Sequence, residues 1–149
     1  QFSLKQHIKN NNLASSYMKM AEDAIGTMNR ERNYNSMFAI SACYYSMYYS
    51  LYAVLMKIGI KCEIHSCTLE FMKVMLSKFY SVEDIKTIKI AFDARSIAQY
   101  YADKVVSKED SNLIMVKAPL FLSKSRDILN KLNENDVKEI RVKLKGFVD

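Results

Sequence analysis

An all-α bundle is the fold this sequence predicts, and three observations predict it. Three glycines and one proline in 149 residues are too few turn-formers for the frequent hairpins of an all-β sandwich. Apolar residues recur at steps of three and four along most of the chain, the period of a helix with one buried face. No linker, repeat or low-complexity stretch divides it. One antiparallel bundle of four to five main helices with short terminal helices, sharing one core over residues 1–149, is therefore expected.

The elements follow in order. Phe2 to Lys9 reads as a short helix, and Asn10, Asn11 and Asn12 mark a break, because asparagine side chains compete for helical hydrogen bonds. Leu13, Tyr17, Met20, Ala24 and Met28 form the apolar stripe of a helix over about 13–31, opposite Lys19, Glu22 and Asp23. From Tyr34 to Ile58 two stripes coexist: Met37, Ile40, Tyr44, Tyr48, Leu51, Leu55 and Ile58 fill one, and Phe38, Tyr45, Tyr49, Tyr52 and Met56 the other. A helix apolar on nearly every side is a central helix. Gly59 supplies the left-handed residue that ends it.

Ser66 reads as the N-cap of a helix to about Tyr80 that buries Phe71, Met72, Met75, Leu76 and Phe79. Ser81, Ser107 and Asn133 each precede an acid by three residues, at Asp84, Asp110 and Asp136, which is the capping-box spacing. These stops divide the remainder into helices of about 82–104, 108–132 and 136–145. Pro119 falls inside the second of them, where a missing donor and a ring clash predict a kink. In the last helix, Val137, Ile140 and Leu144 make an apolar stripe, and Lys138, Arg141, Lys143 and Lys145 the densest basic cluster.

Charge and cysteine usage narrow the function classes. Twenty-two Lys and Arg against 16 Asp and Glu give a net charge of +6, compatible with an anionic partner such as RNA but equally with a solvated basic surface. Cys43, Cys62 and Cys67 are odd in number, which argues against a secreted disulfide framework and for a reducing, cytoplasmic compartment. Cys62, His65 and Cys67 lie close in sequence, but zinc needs a fourth ligand and the other histidine is His7, so no metal site and no cofactor are expected. No run of apolar residues is long enough to span a membrane. The chain opens at Gln1 without an apolar signal-peptide core, which reads as a trimmed cytosolic chain.

Arg95 is the position with most chemical content. Ile85, Ile88 and Phe92 define a core-facing stripe, and the arginine occupies its next step. A guanidinium there must pair with an acid or open to a groove, because burying it alone is costly. An arginine in a groove suits a phosphate, which its planar fork can bind.

Around it the sequence resembles a known family. Tyr44-Tyr45-Ser46-Met47-Tyr48-Tyr49, then Ala53-Val54-Leu55, Gly59, His65, Phe71 and Arg95-Ser-Ile-Ala98-Gln-Tyr100 are similar in order and spacing to HEPN domains. In that family a YYA-type signature leads to an ALL-type run, a glycine, a loop ending in histidine and an R-x-x-A-D-Y segment. The similarity runs from about Ala14 to Leu132, leaving 133–149 as a C-terminal basic helix.

The resemblance implies an antiparallel bundle, usually a homodimer, often encoded beside a minimal nucleotidyltransferase and linked to RNA or nucleotide chemistry. Many members are metal-independent ribonucleases whose arginine is followed, after four to six residues, by histidine. Here that window falls on Tyr100, Tyr101 and Ala102, and Gln99 stands where the family has aspartate. Cleavage through a 2′-hydroxyl needs a base of near-neutral pKa, which tyrosine does not readily supply. The expectation is a binding module acting with a nucleotidyltransferase, its nucleotide or RNA site formed by Arg95, Gln99, Tyr100 and Tyr101 with Tyr45 and Tyr49. The alternatives are a toxin-type ribonuclease using Arg95 with His65 as a non-standard base, and a structural assembly subunit without a ligand.

Overall fold

In a computed structural model, which describes residues 4–6 and 9–148 (the backbone alone for 4–6 and 148), the chain is a helical bundle. Four long helices, α1 (Asn11–Glu31), α2 (Ser36–Ile58), α4 (Val82–Tyr100) and α5 (Lys108–Lys131), are joined by the shorter α3 (His65–Met75) and α6 (Glu134–Val148). β1 (Leu4–Gln6) pairs antiparallel with β2 (Ile60–Cys62), Lys5 opposite Lys61. No helix is long and apolar enough to cross a membrane.

The centre is α2, as its two stripes predict. It packs on α1, α4 and α5 and, at its C-terminal end, on β2 and α6. Tyr44, Met47, Leu51, Leu55 and Ile58 are fully buried along it. Its N-terminal end is exposed: Met37 and Phe38 sit outside the core. Asn35 caps it, accepting from the Phe38 N–H, and Gly59 closes it at φ 85° with its own N–H on the Leu55 and Met56 carbonyls. That left-handed step turns the chain directly into β2.

Several boundaries differ from expectation for physical reasons. Where a helix was expected over Phe2 to Lys9, residues 4–6 are extended, because β2 leaves α2 with unpaired edge groups that β1 satisfies; residues 1–3 and 7–8 lie outside the described residues. Of the three asparagines only Asn10 breaks the helix, accepting from the Leu13 N–H at 2.8 Å. Asn11 and Asn12 form its first turn, where backbone donors are unpaired in any case. On α1 the buried face is Ala14, Met18, Ala21 and Met28, while Leu13 and Met20 are exposed. Two of these four buried residues are alanines, so large apolar side chains alone do not mark the contact face.

The helix expected to end at Tyr80 ends at Met75, and His65, not Ser66, starts it; the N-cap position is Ile64 and has no side-chain cap. The chain turns after Leu76 so that Tyr80 enters the core, its hydroxyl 2.7 Å from Ser125 Oγ and its ring on Phe121. Ser81 and Asp84 form a complete capping box for α4, which stops at Tyr100 rather than 104 because Tyr101 is extended. Helix α5 runs without interruption through the exposed Pro119. On α6, Val137, Ile140 and Leu144 are buried as the stripe requires.

Candidate functional site

The middle of α2 carries tyrosines at steps of four, which stacks their rings along the helix. Tyr44 lies on Tyr48 at 5.7 Å and Tyr48 on Tyr52 at 5.7 Å; beside them Tyr45 lies on Tyr49 at 5.4 Å. The first row faces inward and is buried, and the second is half-buried. At the C-terminal end Tyr52 donates to the Cys62 carbonyl at 3.1 Å. That bond ties β2, and with it the turn into α3, to the tyrosine row.

The tie delivers His65. Its ring stacks on Tyr48 at 4.0 Å with 8° between planes, and its Nδ1 is 2.7 Å from the Tyr44 hydroxyl. The histidine is held by side chains of α2. Burial, and then the positive charge of Arg95, lower its pKa below the usual histidine value, so the imidazole is neutral at neutral pH.

Arg95 arrives from α4 on the other side of Tyr44. It is 8% exposed, and its guanidinium carbon sits 5.1 Å from the Tyr44 ring centre, 5.5 Å from Phe92, 5.7 Å from Tyr45 and 5.8 Å from Tyr100. One of its terminal nitrogens donates to Gln99 Oε1 at 3.3 Å, and its Nε is buried with no partner. Among the described residues no carboxylate pairs with it, although five ion pairs form elsewhere. Besides hydrogen bonding, aromatic faces supply the compensation, each worth up to about 2 kcal/mol when desolvated.

Tyr44 thus joins the arginine to the histidine. Burial, then the neighbouring Tyr48, raise its pKa against the opposing charge of Arg95, so the hydroxyl keeps its proton. Arg95 has donors only, and its positive charge turns the hydroxyl lone pairs toward itself and the proton toward His65 Nδ1. The neutral imidazole then carries its own proton on Nε2. In this state His65 is a donor, as Arg95 is, and both are suited to an anion.

The remaining expected residues divide. Gln99 and Tyr100 are exposed beside Arg95, with Tyr45 along its side. Tyr49 stands one ring further, between Tyr45 and Tyr17. Tyr101 turns away; its ring meets the Lys104 ammonium at 4.3 Å in the α4–α5 link. The bridge, Tyr44, had no place among the expected ligand residues, though its step of four from Tyr48 and its four-ring neighbourhood mark it. Cys62 and Cys67 are buried and burial pushes the Cys62 thiol up; no group of three or more His, Cys, Asp or Glu among the described residues is placed to hold a metal.

Comparison of the sequence with known proteins points to one family. The model of the HEPN domain matches residues 13–135. The chain is 33% identical over 131 residues to a protein of Methanocaldococcus jannaschii that bears the name "Putative toxin MJ0142", the match covering 79% of this chain and 87% of that protein. The chain belongs to the HEPN domain family.

Proposed function

We propose that this protein is a HEPN-type binding module that holds a phosphate of RNA or of a nucleotide at Arg95, acting as a cytoplasmic homodimer with a minimal nucleotidyltransferase. The observation that carries the reading is a buried cation without an acid: Arg95 is 8% exposed, its Nε has no partner, and aromatic rings surround it. Such a group is costly to keep in a free protein and is repaid by an anion that reaches it. Gln99 and Tyr100 would orient that ligand, with Tyr45 and Tyr49 as flanking faces on which a base can stack. Exposed Met37 and Phe38 at the start of α2 support a second copy packing on that end of the helix. The basic helix α6 is read as part of the same unit, since its apolar stripe is in the shared core.

One observation favours a second reading, a toxin-type ribonuclease. Both Arg95 and His65 contact Tyr44, so the one histidine among the described residues is linked to the arginine, and the relative's name contains the word toxin. To act as a base at Nε2, His65 would have to carry its proton on Nδ1 instead, with the Tyr44 hydroxyl turning its own proton to another acceptor, a role open to an anion at Arg95. Incubation of labelled total RNA with wild type, Arg95→Ala and His65→Ala separates the two. Retention without cleavage, lost in Arg95→Ala, is the binding module; cleavage lost in both variants is the nuclease. Retention and cleavage unchanged by Arg95→Ala in a folded protein would remove the site from this position.

A further inference from the structure

A second concavity lies at the end of the bundle where the α1–α2 turn meets the α4–α5 link, a pocket of about 680 Å³ lined by Arg32, Lys104 and Lys108 with Tyr101, Asn112 and Ala98 among its walls. Its three cations come from three separate segments, and none of them makes an ion pair with a described residue. No acid lines it: Glu31, Asp103, Glu109 and Asp110 adjoin those cations in sequence, but none forms a wall.

The start of α2 opens into the same space through Ser36 and Met37. That 23-residue helix has no acidic residue in its first turn, and its Asn35 cap satisfies only the Phe38 N–H. The positive end of its dipole is therefore uncompensated on this side. Cations, a helix start and side-chain amides converge on a space large enough for a nucleotide.

The pocket and Arg95 lie along the same helix, α4. Ala98, on the helix between Arg95 and Tyr101, lines it, and Tyr101 presents a half-exposed ring on its edge. Along the helix axis Arg95 and Tyr101 are only about 9 Å apart at the α-helical rise. A free nucleotide could fill one of the two positions; a chain with repeating phosphates fills both.

We propose that this pocket is a second phosphate subsite for single-stranded RNA, with Arg32, Lys104 and Lys108 neutralising backbone phosphates next to the one held at Arg95 and Tyr101 stacking on the intervening base. The proposal rests on the Arg95 reading for its first phosphate but is carried by residues outside that site. The three cations are exposed, so their replacement leaves the core intact.

The test is fluorescence anisotropy of a short labelled oligouridine over about 50 to 200 mM salt, with wild type, Arg95→Ala, and a triple variant Arg32→Gln, Lys104→Gln, Lys108→Gln whose melting matches wild type. The triple variant is expected to bind about ten- to a hundredfold more weakly at low salt, with a salt slope lower by about 2 for three lost phosphate contacts on a single strand. A mononucleotide competitor should displace the oligomer poorly from wild type; efficient displacement would assign the pocket to free nucleotides and overturn the proposal. Loss in Arg95→Ala with the triple variant unchanged would overturn the subsite and leave the Arg95 reading standing. Loss in the triple variant alone would keep the subsite and overturn the placement at Arg95, and a wild type that does not bind the oligomer would overturn both.

Discussion

Replacing Arg95 by methionine should make the ligand-free protein more stable, not less. The side chain is 8% exposed, has one hydrogen bond, to Gln99, and has no carboxylate within ion-pairing distance among the described residues. Burying an unpaired charge costs several kcal/mol even after relaxation, while stacked aromatic faces return about 2 kcal/mol. Methionine keeps most of the volume and the ring contacts without the charge. The net gain should be about 1–3 kcal/mol, and a domain of this size shifts its Tm by about 2–4 °C per kcal/mol. The assay is thermal and urea unfolding of wild type and Arg95→Met with and without an RNA oligomer or nucleotide that binds the wild type. At a ligand concentration of about one hundred times Kd the wild type should gain about 2.7 kcal/mol and the variant nothing. A variant destabilised without ligand, or stabilised by ligand as much as wild type, would refute the argument that the cation is unpaired and reserved for an anion.

His65 should titrate below its ordinary value of 6.5, since burial and the Arg95 charge both oppose its protonation. The unfolded chain then takes up the proton first, so stability is full above about pH 6.5 and falls as the pH drops from there toward the lowered native value; NMR titration of the ring and urea midpoints at pH 7.5 and 5.5, flattened in His65→Gln, check it. Burial alone would raise the Asp84 pKa, but hydrogen bonds from Lys124 and from Ser81 outweigh it and hold it below 3.8. Its stabilising share should disappear only as the pH falls through and below that value, and Ser81→Ala should cost about 1 kcal/mol at pH 7 through the lost cap, read from urea unfolding. Gly59→Ala should cost about 1–2 kcal/mol, because φ of 85° strains any residue with a Cβ, and it should loosen His65 through β2; thermal melts and the His65 NMR signal report both.

The elements readable in the sequence are those set by neighbours along the chain. Gly59 ends α2, Ser81, Ser107 and Asn133 mark helix starts, and the alternation of apolar and polar residues makes α2 central and α6 amphipathic, because each depends on hydrogen bonds or faces within a few residues. The boundaries that moved depend on contacts distant in sequence: Tyr80 leaves its expected helix to reach Ser125, and residues 4–6 become a strand because β2 needs a partner. The α1 face was misplaced at Leu13 and Met20 because two of its four buried residues are alanines, Ala14 and Ala21, which carry little weight in an apolar pattern.

The candidate site divides in the same way. By itself the sequence determined that a cation at position 95 lies on a core-facing stripe, that aromatic rings repeat along α2, and that no histidine follows the arginine at the family's spacing. Only the tertiary structure decided that His65 and Arg95 meet on opposite sides of Tyr44, that no acid reaches the guanidinium among the described residues, and that Tyr101 belongs to a different pocket. The physical reason is that a side chain's charge and its place on a helix face are local properties, whereas its partners are fixed by the packing of helices that the chain brings together from far apart.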